Sequence, residues 1–409
     1  MTNSSKAQNA MSFYNLGDYV MQTQNISAVY LPKNTITFGL PGVGLSANNP
    51  FQLNEFLVKN NTTNKLETNF DNLLTNAQAV NQSNVHLNTS LFMLAFKTSK
   101  GSISVFANSK LTNNWQYTDE FIAIVANGIN DFNLSNNQLN TSLYHEIGLG
   151  ITQQFLNKKL AVGLRLKYLN GIAHTSLKNY ASLSLNIDDT NQNWNITAKN
   201  ATLRTSGVSN DEKSYFTGNN GFGIDLGATY QLSEKWIVAL SINDLGTINW
   251  SENNTSYNIK DTPGTIYSGV NLDTDGSVKK EIESALNTVF NATETIENFS
   301  TKLTTKTYLS AKYYANKKNV FSTVFANTHI FGNLNSNYAL GYNRLHKNST
   351  YGLLTSIDSQ QKQIKLGGNA AVNIGALQIY VATDNFLNAF RKVAEISQSE
   401  IYLGLNLGF

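Results

Sequence analysis

Long runs of strict two-residue alternation constrain this chain more than any other feature. From Gly221 to Leu232, one face reads Phe222, Ile224, Leu226, Ala228, Tyr230 and Leu232. The other reads Gly221, Gly223, Asp225, Gly227, Thr229 and Gln231. Residues i and i+2 share a face only in extended backbone, so this is a strand. Leu160, Val162, Leu164, Leu166 and Tyr168 oppose Ala161, Gly163, Arg165 and Lys167 in the same way. Trp236, Val238, Leu240 and Ile242 oppose Ile237, Ala239, Ser241 and Asn243. The last nine residues set Ile401, Leu403, Leu405, Leu407 and Phe409 against Tyr402, Gly404, Asn406 and Gly408.

What faces away from the apolar side is small, polar or glycine. A soluble sandwich alternates with its apolar face inward. A transmembrane barrel inverts this, with apolar residues toward lipid and small or polar ones toward a lumen. Period alone leaves both open. Length favours the barrel, because several segments reach the 9–11 residues that cross a bilayer at a tilt, beyond the usual globular strand. Tyr168, Tyr230, Trp236 and Phe409 near segment ends suit interfacial girdles. Candidate strands run over 34–47, 85–97, 101–112, 141–155, 159–172, 180–188, 193–205, 221–232, 235–248, 264–271, 303–316, 319–332, 335–346, 349–358, 361–374, 375–383 and 399–409. Some of these must be loop hairpins or halves of one strand. The short polar connections 156–159, 233–235 and 316–319 read as hairpin turns. No Pro- or Gly-rich linker divides residues 1–409, so the expectation is one all-β domain, a transmembrane antiparallel β-barrel with a few short loop or lumen helices.

Composition narrows the chemistry. Charged residues are 14% of 409 and the net charge is +3, with no basic stripe for nucleic acid. Cysteine is absent, which excludes disulfides, thiolate metal sites and Cys nucleophiles. Asparagine outnumbers all charged residues together, and with only 4 Pro this suits long strands joined by polar turns. No run approaches the 18 or so apolar residues of a membrane helix. Met1–Lys6 has no apolar signal core behind it, so export requires a signal peptide outside this numbering.

Four stretches break the alternation. Residues 50–80 carry two helix-like pieces, 277–290 are amphipathic, and 384–393 read as a short helix through Phe386, Leu387, Phe390 and Val393. Residues 117–130 form an apolar helix through Phe121, Ile122 and Val125, a candidate plug or partner-binding element. Pro41 inside the first strand removes a ladder hydrogen bond and marks a possible break in the wall. Arg165, Lys167 and Asp225 fall on the inward face and are lumen-lining candidates; facing lipid, Arg or Lys would cost about 2–4 kcal/mol. Asn271–Gly276 has alternating oxygen ligands, but Ser284 stands where a calcium loop needs its bidentate Glu. Asp275 or Ser277 reads better as a helix cap. The segment 39–44 lacks the Gly-Lys-Ser/Thr of a phosphate loop. No two of the five His have metal-ligand spacing, and there is no local signature of a nucleophilic triad. Neither an enzyme, a metal nor a cofactor is expected.

Several segments resemble a known family when taken together. They are Met11-Ser12-Phe13-Tyr14-Asn15, Ser241-Ile242-Asn243-Asp244-Leu245-Gly246 with Trp250 behind it, Tyr380-Val381-Ala382-Thr383-Asp384-Asn385, and the terminal strand ending in Phe409. The pattern resembles uncharacterised outer-membrane β-barrels related to FadL-like fatty-acid transporters and to the PorV-like shuttle barrel of type IX secretion. The resemblance implies about 14 strands and a bacterial outer-membrane location, and it reads Asp244-Leu245-Gly246 as a turn after a strand. It leaves two functions. The first is an accessory or scaffold subunit of a protein export or assembly machine, with protein partners and lipid or lipopolysaccharide around it. The alternative is a channel for hydrophobic small molecules. A surface adhesin with Asn-rich loops is a third reading.

Overall fold

A computed structural model describes residues 10–59, 65–127, 131–133, 137–179, 183–188, 193–198, 201–207, 215–259, 265–267, 293–358, 364–390 and 397–409. Fourteen strands form the wall. They are β1 (Ile36–Asn48), β2 (Asn81–Thr98), β3 (Gly101–Tyr117), β4 (Gln138–Phe155), β5 (Leu160–Asn179), β6 (Asn220–Gln231) and β7 (Trp236–Trp250). The second half is β8 (Lys306–Tyr314), β9 (Asn319–Ile330), β10 (Asn333–Leu345), β11 (Ser349–Asp358), β12 (Ile364–Ile374), β13 (Leu377–Thr383) and β14 (Gln398–Gly408). Each is antiparallel to the next. β14 returns to β1 from Thr37↔Gly408 to Asn48↔Gln398, which closes the sheet and leaves no edge.

The side chains settle which way the alternation points. On β5, Leu166 and Tyr168 are 41% and 47% exposed, while Arg165 and Lys167 between and beside them are 1% exposed. Charges inside and apolar side chains outside are the reverse of a soluble core and the arrangement of a transmembrane barrel. Trp236, Tyr230, Tyr168 and Phe409 are all exposed on the outer surface. Six tight turns lie at one end, at 98–101, 155–160, 231–236, 314–319, 345–349 and 374–377. The chain's long connections lie at the other, with the two-residue turn at Phe331 and Gly332 among them.

Several strand assignments change. The segment 193–205 splits into Asn193–Ala198 and Ala201–Ser206, which belong to different sheets. Leu183–Asp188 and Thr265–Tyr267 join the first of these in a separate four-stranded sheet, outside the wall. Ala201–Ser206 instead pairs with the outer part of β5 and with Asn254–Ile259, a strand the alternation did not reveal. The Asp244-Leu245-Gly246 segment is not a turn. It lies within β7, where a one-residue register shift against β6 marks a bulge.

Residues 10–32 fill the lumen, and alternation gave no sign of it. Helix α1 (Met11–Leu16) and α2 (Gln24–Ser27) are joined by two short 3-10 turns and are almost wholly buried. At six and four residues these helices are too short to persist alone. The wall supplies their partners. Outside it, α3 (Leu53–Phe56), α4 (Phe70–Asn76) and α5 (Asp119–Asn127) cap the loop end. The amphipathic stretch 277–290 and the residues Asp273, Asp275 and Ser277 lie outside the described residues. Of 384–393, Phe386–Phe390 is a 3-10 helix and 391–393 lie outside them.

Candidate functional site: a plugged lumen with a charged anchor

The inward glycines have a specific job. Gly163 on β5 and Gly227 on β6 are register partners, and Ser241 pairs with Gly227 on β7. A Cβ at Gly163 would stand 2.0 Å from the Ala28 carbonyl oxygen, and one at Gly227 would stand 2.2 Å from that of Ser27. The row is therefore a seat for plug backbone, and no other residue permits that approach. Ser241 Oγ and Asn243 Nδ2 donate to the Ile26 carbonyl at 2.8 and 2.7 Å. Around the circumference, Ser102 Oγ donates to the Tyr30 carbonyl, Asn343 Nδ2 to that of Asn15, and Gln378 Nε2 to that of Tyr19. These wall groups satisfy main-chain atoms that a short, irregular segment cannot pair internally.

Arg165, Lys167 and Asp225 come together beneath the plug. Arg165 Nη1 lies 3.2 Å from Asp225 Oδ2, and Lys167 Nζ lies 2.5 Å from Asp225 Oδ1. The arginine also reaches the plug, donating to the Gln24 carbonyl at 3.0 Å and to Asn25 Oδ1 at 2.8 Å, with its guanidinium over the Phe106 ring. Three further members complete the network. Lys110 Nζ pairs with Glu146 Oε2 at 2.9 Å and with Asp244 Oδ1 at 3.2 Å, and Lys167 Nζ touches the same Asp244 oxygen at 2.5 Å. Asn108 Nδ2 donates to Glu146 Oε1. Three cations thus face three carboxylates, which is what buried charge requires.

Lys110 and Glu146 were legible in principle, since each lies on the inward face of an alternating strand. Asp244 was not. It follows inward-facing Asn243, so regular alternation would send it to lipid. Its φ of 60° at the bulge turns it inward instead. Its amide donates to Asp225 Oδ1 at 2.7 Å, locking the bulge onto the network. A non-glycine residue held at positive φ is strained, and such strain gathers at functional positions.

Two cavities flank α2 inside the lumen. The one toward the loop end is lined by Phe13, Ile26, Leu111, Tyr308 and Tyr402, with Lys110, Lys306, Asp244 and His86 as its polar groups. The other, toward the turns, is lined by Ser27, Val29, Ile237 and Lys312 among others.

The wall is incomplete at β13. This strand has seven residues against eleven in each neighbour. Its last pairs are Thr383↔Gly368 and Ala382↔Tyr402, so no strand stands between Ile364–Gly367 of β12 and Gln398–Ile401 of β14. Residues 384–390 stop the gap, with Asn388 Nδ2 donating to the Gln398 carbonyl and Leu387 exposed outside. Asp384 ties this stopper to the plug. Its carboxylate accepts from the amides of Met11 at 2.8 Å and Ser12 at 2.6 Å, the first residues of α1. Pro41 sits elsewhere, exposed on β1 at a bulge where the register against β14 shifts between Gly39 and Gly42, with paired wall on both sides.

Helix α5 lies at the rim. Ile122 is buried against Phe51 and Tyr117, and the Phe121 ring meets Trp115 and Tyr117 edge-on. Val125 is on the same helix, and its side chain lies outside the described residues. The element occupying the lumen is the N-terminal segment.

Beyond Tyr168, the outer part of β5 stands clear of the apolar band. There His174 stacks on Trp250 with centroids 4.9 Å apart, and its Nδ1 lies 2.9 Å from Ser142 Oγ. Burial pushes its pKa from 6.5 down to about 4. The folded loop region then binds fewer protons than the open one, so its stability falls as pH drops from 6.5 toward 4. Melting of the Trp250 environment should come earlier at pH 5 than at pH 7. His174→Phe should flatten that dependence; an unchanged pH profile in the variant would assign the acid sensitivity to other groups.

No curated protein sequence matches the chain. Among solved structures, the fold is similar to the toluene transporter TbuX of Ralstonia pickettii, at 9% identity, covering 91% of this chain and 89% of that one, with a TM-score of 0.43. It is similar to a FadL homologue of Pseudomonas aeruginosa at 7% identity, 91% and 89% coverage and a TM-score of 0.38. It is also similar to the translocator domain of the autotransporter NalP from Neisseria meningitidis, at 9% identity, 98% and 100% coverage and a TM-score of 0.36. A family model matches residues 30–384, from the end of the plug segment to the Asp384 that holds α1, and the chain therefore belongs to the family of unknown function DUF5723.

Proposed function

We propose that this barrel is a gated channel for hydrophobic small molecules in a bacterial outer membrane, with residues 10–32 as its plug and the turn end in the periplasm. The observation that carries the reading is the pair of lumen cavities on either side of the plug, one lined by its Phe13 and Ile26 and the other by its Tyr14, Ser27 and Val29. A barrel that served only as a scaffold has no use for space on both sides of a short plug segment. The gap beside β13 adds a lateral outlet at the level of lipid-facing Ile401, where an apolar solute gains by leaving sideways. Arg165 and Asp384 would hold the closed state.

The glycine seat gives the test. Gly163→Val puts side-chain atoms where the Ala28 carbonyl lies and should unseat the plug, since the residue's lipid-facing neighbours are untouched. In vesicles holding a hydrophobic dye, the variant should pass dye at least about tenfold faster than wild type, the effect of roughly 1.4 kcal/mol on a closed-to-open equilibrium. A heat-modifiable band on electrophoresis confirms that the barrel has folded. Folded Gly163→Val with wild-type flux sinks the channel reading.

The second reading is an accessory subunit of an export or assembly machine. Tyr215, Phe216 and Ile296 favour it, as large apolar side chains 60–84% exposed at the loop end. Purification in mild detergent with a stoichiometric protein partner would support it. A solitary barrel in every preparation would count against it.

A further inference from the structure

The turn end of the barrel carries one sign of charge. Lys97 and Lys100 flank the first tight turn, Lys158 and Lys159 lie in the second, and Lys317 and Lys318 lie in the fourth. Lys235 and Lys347 occupy the third and fifth, and Lys33 stands beside them on the approach to β1. All nine are exposed, and Glu234 is the one acid in the six turns. None of the nine forms an ion pair with a described residue; the ion pairs belong to Lys110, Arg165, Lys167 and Arg204. The whole chain is only +3, so its remainder is net acidic. The cations are concentrated here and left without counter-charges.

Their height is as specific as their sign. Each of five lysines stands within three residues of a large exposed apolar side chain. Lys97 follows Phe96, Lys158 and Lys159 follow Phe155 and Leu156, Lys235 precedes Trp236, and Lys318 precedes Phe321. Ammonium groups on flexible stems at this level reach the headgroup layer while the ring or branched chain beside them stays in hydrocarbon. They are also spread over five of the six turns rather than gathered on one arc. A protein partner would engage an arc, whereas a leaflet surrounds the whole rim.

We infer that the turn end is a docking collar for anionic phospholipid headgroups of the phosphatidylglycerol class in the leaflet around the turns. Passage of solute plays no part in this, so it stands apart from the channel reading.

The test uses the full chain in detergent micelles doped with equal phosphatidylglycerol and phosphatidylethanolamine, with retained lipids counted by native mass spectrometry. Wild type should retain phosphatidylglycerol preferentially, and added salt should erode the preference. The variant K158Q/K159Q/K317Q/K318Q should lose about tenfold of it, because each removed cation weakens attraction to an anionic surface. Arginine at the same four positions should keep it. Equal retention of both lipids by wild type, or a glutamine variant with undiminished preference, overturns the proposal. So does lysine-dependent pelleting with peptidoglycan in the absence of any lipid preference, which would assign the collar to the wall polymer. The heat-modifiable band again shows that each variant is folded.

Discussion

Asp225→Ala will destabilise the barrel by about 3–5 kcal/mol, the cost of leaving buried charges without their partner. Asp225 is fully buried and joins Arg165 at 3.2 Å to Lys167 at 2.5 Å. Without it, three cations share the two carboxylates Glu146 and Asp244. Arg165 also loses the group that orients it toward Gln24 and Asn25, so the plug loosens with the wall. The amide of Asp244 loses its acceptor as well, which frees the bulge. Thermal loss of the heat-modifiable band measures the first effect, and protease access to residues 10–32 measures the second. Adding Lys167→Met restores the balance of two cations and two carboxylates and should recover a large part of the stability. A double variant no better than Asp225→Ala would show that the network acts through geometry rather than charge.

Asp384→Ala has the second-largest effect, and a different one. It removes two charge-assisted hydrogen bonds to the Met11 and Ser12 amides, each worth about 1.5–3 kcal/mol. The wall loses no strand pair, because Asp384 lies beyond the last pair of β13, and on β14 it loses only the Asp384 contact of the buried Glu400 carboxyl. The expected result is a barrel of near-normal thermal stability whose plug opens at its N-terminal end, with dye flux raised roughly a hundredfold. Asp384→Asn keeps one acceptor and should fall between. Loss of barrel stability equal to that of Asp225→Ala would mean that the stopper of the β13 gap holds the wall together, and that gating and folding cannot be separated there.

The wall was written in the sequence because lipid enforces the period. Every residue of Leu160–Tyr168 must choose hydrocarbon or lumen, so its pattern is clean, and with it the inward placement of Arg165, Lys167 and Asp225. The plug was hidden because nothing enforces a period on it. Ser12, Asn15, Gln22 and Gln24 are as buried as Met11 and Met21, since the wall offers hydrogen bonds on every side. A segment solvated by polar side chains shows neither an apolar stripe nor an alternation. The loop strands failed for a related reason. Asn254–Ile259 and Ala201–Ser206 pair with each other beyond the apolar band, where neither face meets lipid. Asp244 was lost to a single residue of bulge, which reverses the inside and outside of everything after it until the partner strand compensates.

The wall holds its plug by main-chain atoms (the carbonyls of Asn15, Tyr19, Gln24, Ile26 and Tyr30, and the amides of Met11, Ser12 and Tyr30) as well as by the side chains of Tyr14, Asn15, Gln22 and Asn25. The main-chain part of that grip recognises the path of a chain and not its spelling. Mutations that keep the path, with its positive φ at Gly17 and Ala28, can accumulate at plug positions whose side chains the wall does not bind, while the socket stays as it is. The socket can therefore remain fixed while those positions of the stopper drift, which would let one barrel design acquire new contents without rebuilding its wall.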